Sequence, residues 1–120
     1  MGAAAVLQDW ISVRGATSSV TVVQSTSEWL DASAYADVAF YLEVKDYSGS
    51  PTISYQTSPN QDEALFQDMG SVAVAATGLT QTLVRFATAS VPLARFVRWK
   101  VGGTAAWSLT FRVNAVFKTV

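Results

Sequence analysis

Neither cysteine nor histidine occurs in the 120-residue sequence. Their absence removes the thiolate nucleophile, the commonest general base and the usual transition-metal ligands together. It also leaves no disulfide framework to read. Charge is scarce: Asp, Glu, Lys and Arg make up 14% of the residues, against roughly 25% in ordinary soluble domains. The net charge of −1 supplies no field for nucleic acid or an anionic membrane surface. No apolar run approaches the roughly 18 residues that would cross a bilayer as a helix. The first ten residues carry no basic segment and are interrupted by Gln8 and Asp9, so no signal peptide is expected.

What remains for catalysis is thin. Lys45, Lys100 and Lys118 lie in no Ser-x-x-Lys pattern. The acids Glu28, Asp31, Asp37, Glu43, Asp62, Glu63 and Asp68 are scattered through turns and outer strand faces rather than paired as in a glycosidase. The expectation is a protein that is not an enzyme and takes no cofactor.

Half of the residues are hydrophobic, which sets the chain apart from disordered sequences and gives it enough apolar surface for its own core. Residues 1–120 read as one domain, with 1–8 as an extended N-terminal arm. Ala, Ser, Thr and Val replace the missing charges. A surface so weakly charged is poorly defended against association, so other subunits are expected to cover part of it. The alternative is a monomer kept apart by a Ser/Thr-rich surface.

The apolar residues recur with period 2. Val38, Phe40, Leu42 and Val44 alternate with Ala39, Tyr41, Glu43 and Lys45, as on a half-buried strand. In the last third, Trp107, Leu109, Phe111, Val113, Ala115 and Phe117 hold six alternate positions, with Ser108, Thr110, Arg112, Asn114 and Lys118 on the other face and Val116 the exception. A helix would scatter these residues around its circumference, whereas a strand sorts them. Shorter strands are predicted at Trp10–Arg14, Val20–Gln24, Thr52–Thr57, Leu65–Asp68, Val72–Ala76, Gln81–Thr88 (Val84 and Phe86 inward) and Arg95–Val101, with a helical turn within Ser27–Tyr35. Val97, Trp99 and Val101 face inward. A two-residue Gly102-Gly103 hairpin would put them out of phase with Trp107 and Leu109. Either a three-residue bulged loop joins the two strands or they belong to opposite sheets. The fold class is therefore all-β: a two-sheet antiparallel β-sandwich of jelly-roll type with about eight or nine short strands.

Four tryptophans stand out. Trp99 and Trp107 fall on inward faces and read as core. Trp10, Trp29, Tyr47 and Phe66 lie at strand ends or loop edges, as an aromatic partner interface or, for the two tryptophans, as plugs at the ends of the sandwich. Arg98, Lys100, Arg112 and Lys118 form a basic stripe if they share an outer face, and intersubunit ion pairs suit it better than phosphate contacts. Asn60, Asp62, Glu63 and Asp68 offer oxygen ligands of the kind calcium takes, but their spacing matches no EF-hand and a solvated acidic loop is expected, with no metal.

Leu93-Ala94-Arg95-Phe96-Val97-Arg98-Trp99-Lys100-Val101, followed by a glycine turn and an alternating strand, resembles the closing strands of discoidin-like jelly rolls. No residue corresponds to that family's ligand-binding loops. The segments Ser27 to Asp37, Thr57-Ser58-Pro59 and Phe66-Gln67-Asp68-Met69-Gly70 look like those of small accessory proteins encoded among tailed-phage structural genes. That resemblance implies a virion component, such as a capsid decoration protein, made in the host cytoplasm. Its partners would be the major capsid protein or other virion subunits, and it would work as a homo-oligomer, a trimer where it sits on three-fold positions. A carbohydrate-binding or adhesive module, and a tail or other assembly subunit, are the rival expectations.

Overall fold

A computed structural model describes residues 2–17 and 20–119. Ser18 and Ser19, part of the Ser/Thr cluster after Gly15, lie outside the described residues, as do Met1 and Val120. Among the described residues the strands are β1 (Gly2–Gly15), β2 (Val22–Val23), β3 (Leu30–Asp31), β4 (Asp37–Ser48), β5 (Pro51–Ser58), β6 (Gln67–Ala73), β7 (Gly78–Val84), β8 (Phe96–Gly103) and β9 (Trp107–Lys118). They form two antiparallel sheets packed face to face. One has the order β1-β9-β4-β7; the other runs β2-β8-β5-β6, with β3 also on β8.

Alternation explains the core. β9 reads buried and half-buried in strict turn from Trp107 to Phe117, and β4 contributes Val38, Phe40, Leu42 and Val44 from the same sheet. Ile53, Tyr55, Val97, Trp99 and Val101 answer from the five-stranded sheet. Phe40 stacks on Tyr55 with centroids 4.0 Å apart, and Trp99 meets Phe111 edge to face at 5.1 Å. The Gly102-Gly103 phase problem resolves in favour of opposite sheets: residues 104–106 carry the chain across the sandwich, and both inward sets point into one core. Gly15 and Gly103 are required there, because a Cβ at either position would run into the Trp107 ring. Gly49, at φ 69°, makes the reversal from β4 to β5 in a conformation that side-chain-bearing residues avoid.

Several boundaries differ from expectation. The first strand starts at Gly2, so residues 2–8 are an edge strand on β9, not an extended arm. Ala3 and Ala5 sit opposite Phe117 and Ala115, and such small residues give little hydrophobic alternation to read. The segments around Leu65–Asp68 and Val72–Ala76 are replaced by one strand, β6, which runs through Gly70 with Met69 as a bulge opposite β5. β7 begins at Gly78 and ends at Val84, leaving Phe86 exposed beyond it rather than inward. Only Val22–Val23 of the second predicted strand pairs, and the helical turn is a 3-10 turn at Thr26–Glu28.

Candidate functional site

The outer faces of the two sheets are built differently. Register places the outward residues of the four-stranded sheet in rows. Leu83, Ala39, Val116 and Ala4 form one row across β7, β4, β9 and β1. Gln81, Tyr41, Asn114 and Val6 form the next, with Gln81 Nε2 donating to the Tyr41 hydroxyl at 3.2 Å. The third holds Leu79, Glu43 and Arg112. Arg112 donates to Glu43 at 2.7 Å, and its guanidinium lies 5.0 Å from the centre of the Trp10 ring.

Eight large hydrophobic residues are exposed among the described residues, and four of them, Val6, Trp10, Leu79 and Leu83, occur on this one face, at 43% to 64% exposure. Phe86 stands next to them in the adjoining turn, its backbone N–H donating to Asp37 at 2.9 Å. None of the described residues covers the face. It carries two shallow cavities, one of about 280 Å³ lined by Ala39, Tyr41, Leu83, Val116, Arg85 and Lys118 together with Asp37, the other of about 470 Å³ beside Trp10, Leu79, Glu43 and Lys45.

The five-stranded sheet is polar outside and largely covered. Ser54 and Ser71 share a hydrogen bond of 3.0 Å. Gln56 donates to Asp68 at 2.8 Å and accepts from Arg98 Nε at 2.8 Å, and Arg98 reaches on to Glu63 at 3.5 Å. The Arg98 guanidinium lies 4.0 Å from the Phe66 ring centre and 5.3 Å from that of Trp29, and the two rings meet edge to face at 4.7 Å. Desolvation lowers the pKa of Arg98, and Glu63 opposes that shift. At the adjoining edge, the Ser33 backbone N–H, bonded to Asp31, holds that carboxyl below its ordinary range, and Arg95 at 3.4 Å acts in the same direction.

The four predicted interface aromatics are thus dispersed. Trp10 stands exposed on the four-stranded sheet. Trp29 and Phe66 close over Arg98 on the opposite side, Trp29 Nε1 also donating to the Gln24 carbonyl at 2.9 Å. Tyr47 is half-buried at one end of the sandwich, where its hydroxyl donates to the Ala75 carbonyl at 2.8 Å. Trp99 and Trp107 are core. The basic stripe does not exist as one surface: Arg98 and Lys100 belong to the five-stranded sheet, Arg112 and Lys118 to the other. In the acidic loop, Asp62 caps the 3-10 turn Glu63–Leu65 by accepting from the Ala64 N–H, while Glu63 and Asp68 are taken by Arg98 and Gln56. No metal-holding cluster of three acids occurs among the described residues.

Sequence reasoning missed Leu79, Leu83 and the outward role of Val116. The signal for the last was present, since Val116 is the one apolar residue out of phase on β9. Leu79 and Leu83 are four apart, hence on the same strand face. A strand taken to begin at Gln81 hides the first of them.

No family model matches the chain, and no curated relative does either. Solved structures do. The fold is similar to that of the PBSX exported protein XepA, a phage-related protein, with a TM-score of 0.63 and 16% identity; 98% of this chain is covered, but it spans only 37% of that one. The infectious bursal disease virus T13 particle gives a TM-score of 0.56 at 8% identity, over 99% of this chain and 31% of that chain. A pilus subunit from Bacillus endospore appendages gives 0.50 at 17%, over 98% and 92% respectively. These likenesses establish the fold, a jelly-roll-like sandwich that also occurs in subunits of large assemblies.

Proposed function

We propose that the chain is a structural virion protein of the accessory kind, a capsid decoration subunit that acts through protein–protein contact and performs no catalysis. One observation carries the reading: an outer face that leaves Val6, Trp10, Leu79 and Leu83 exposed, on a sandwich whose opposite face is closed by its own loops. Monomeric proteins rarely leave a contiguous apolar surface open unless it binds something. The fold's occurrence in a phage-related protein and in a viral particle supports the virion setting. Trp10 and Leu79, flanking the Glu43–Arg112 pair, are the anchors, because large aromatic and aliphatic side chains with a polar rim form the energetic centre of interfaces. The major capsid protein is the partner they would meet, and repetition over a symmetric shell turns weak single contacts into firm attachment.

Cosedimentation with purified shells assembled without this chain tests the proposal. The parent protein is expected to pellet with the shells, and a Trp10→Ala/Leu79→Lys variant to stay in the supernatant with an unchanged thermal midpoint. Binding of a defined sugar on a glycan array, with no affinity for shells, would replace this reading with a carbohydrate-binding module. Binding only to tail structures would move the subunit to that device.

A further inference from the structure

The charged residues divide unevenly between the two sides of the sandwich. The side of the four-stranded sheet carries Arg14, Lys45, Arg85, Arg112 and Lys118 against Asp9, Asp37, Glu43 and Asp46. The other side, with its two 3-10 turns, carries Glu28, Asp31, Asp62, Glu63 and Asp68 against Arg95, Arg98 and Lys100. The net charge of −1 therefore divides into +1 on the first side and −2 on the second, and the contrast is sharpest locally, at Arg85 and Lys118 on one and at Asp62 and Glu63 on the other.

Two complementary features lie on those sides. At the Leu83 end of the bare face, the cavity of about 280 Å³ has an apolar floor of Ala39, Leu83 and Val116 and a rim that includes Arg85 and Lys118. Asp37, also in its wall, is engaged by the Phe86 N–H. The volume is below the roughly 300–1,000 Å³ of small-molecule sites and suits one inserted side chain. On the anionic side, Leu65 of the turn Glu63–Leu65 is 42% exposed at the wall of a shallow groove shared with Pro59 and Pro92, with Asp62 and Glu63 just ahead of it in the chain. Glu63 remains 71% exposed despite its contact with Arg98.

We infer that a second copy of this chain docks head to tail on the bare face, its Leu65 entering the Leu83 cavity and its Asp62 and Glu63 meeting Arg85 and Lys118. Charge decides the orientation: two cavities face to face would oppose Arg85 and Lys118 with their own copies, whereas cavity against turn pairs opposite signs. Each copy then has one donor and one acceptor surface, so the contact is heterologous and generates a ring if the rotation closes and a chain if it does not. A contact built on one inserted side chain and two rim ion pairs is expected to form reversibly in solution and to be completed where a scaffold concentrates the copies. The inference rests on the proposed structural role but uses the opposite end of the face from Trp10 and Leu79.

Sedimentation velocity on the full chain tests it. The parent's weight-average mass is expected to rise with concentration in low salt and to fall when salt screens the rim charges. A Leu83→Glu/Arg85→Glu variant, with a disabled cavity, and a Leu65→Lys variant, with a disabled turn, are each expected to lose association by about tenfold or more while keeping the parent's thermal midpoint. Mixed together, they retain one good cavity and one good turn, and should form a one-to-one heterodimer and nothing larger. A parent that stays monomeric at millimolar concentration in low salt overturns the inference. So does a Leu65→Lys variant that self-associates like the parent, which would mean a face-to-face dimer. Shell cosedimentation of the same proteins separates the two proposals: a monomeric parent that pellets with shells overturns head-to-tail docking alone, and a self-associating parent that ignores shells overturns the decoration role alone.

Discussion

Each sheet of this sandwich sets an arginine against a tryptophan on its outer face, with opposite results. On the five-stranded sheet, Arg98 is 5% exposed beneath Trp29 and Phe66 and is held by Gln56. On the four-stranded sheet, Arg112 is 37% exposed beneath Trp10 and is held by Glu43. The difference lies in the loops that each sheet receives. The segments after β2 and after β5 fold back over Arg98 with an aromatic residue each, so that cluster is part of the folded molecule. No described segment returns over Arg112. Its tryptophan covers it from the edge strand alone, and the apolar rows beside it stay open. One arrangement is completed within the chain; the other is left open by the described residues.

Substitutions graded by their cost to stability would break or sharpen that contrast. Trp107→Ala sets the upper end, since it empties a core position shared by both sheets, and should lower unfolding free energy by about 3–5 kcal/mol in denaturant titration. An unchanged midpoint would overturn the assignment of inward faces. Arg98→Ala comes next, at roughly 2–3 kcal/mol, because it strands the Gln56 oxygen and removes the cation from between two rings. Phe66→Ala, which takes away one ring and leaves the hydrogen bonds, should cost about 1–2 kcal/mol. If Arg98→Ala costs no more than Arg112→Ala, the two sites are equivalent and the contrast fails.

How much of this contrast the sequence discloses depends on the residue. β9 is legible from alternation alone, because buried and exposed positions differ sharply in polarity along twelve residues. The two glycines before Thr104 narrow the closing strands to two arrangements, and only the long-range pairing of β8 with β5 and of β9 with β4 chooses between them. Arg98 is not legible as buried. An arginine at an alternate strand position reads as solvated, and its burial depends on loops more than thirty residues away in sequence. The open face is half legible: Val116 breaks the pattern visibly, but β7, with Thr80 and Thr82 on its inner side and Leu79 and Leu83 outside, inverts the usual polarity of an edge strand.

The smallest effects on folding bear most directly on function. Arg112→Ala breaks a partly exposed ion pair, a class worth about 0–1 kcal/mol. Trp10→Ala alone removes a ring that is 43% exposed at the edge strand, so thermal unfolding should move by no more than about 1 kcal/mol from the parent. Its partner contact should nevertheless suffer, because an exposed tryptophan carries its apolar area into an interface rather than into the core. The counterpart on the other side, Trp29→Ala, should behave in reverse, lowering stability through Arg98 and Phe66 while leaving shell binding nearly intact. A Trp10→Ala protein that unfolds as easily as Trp29→Ala would mean that the four-stranded sheet is already closed by its own residues, and its exposed leucines would then need a different explanation.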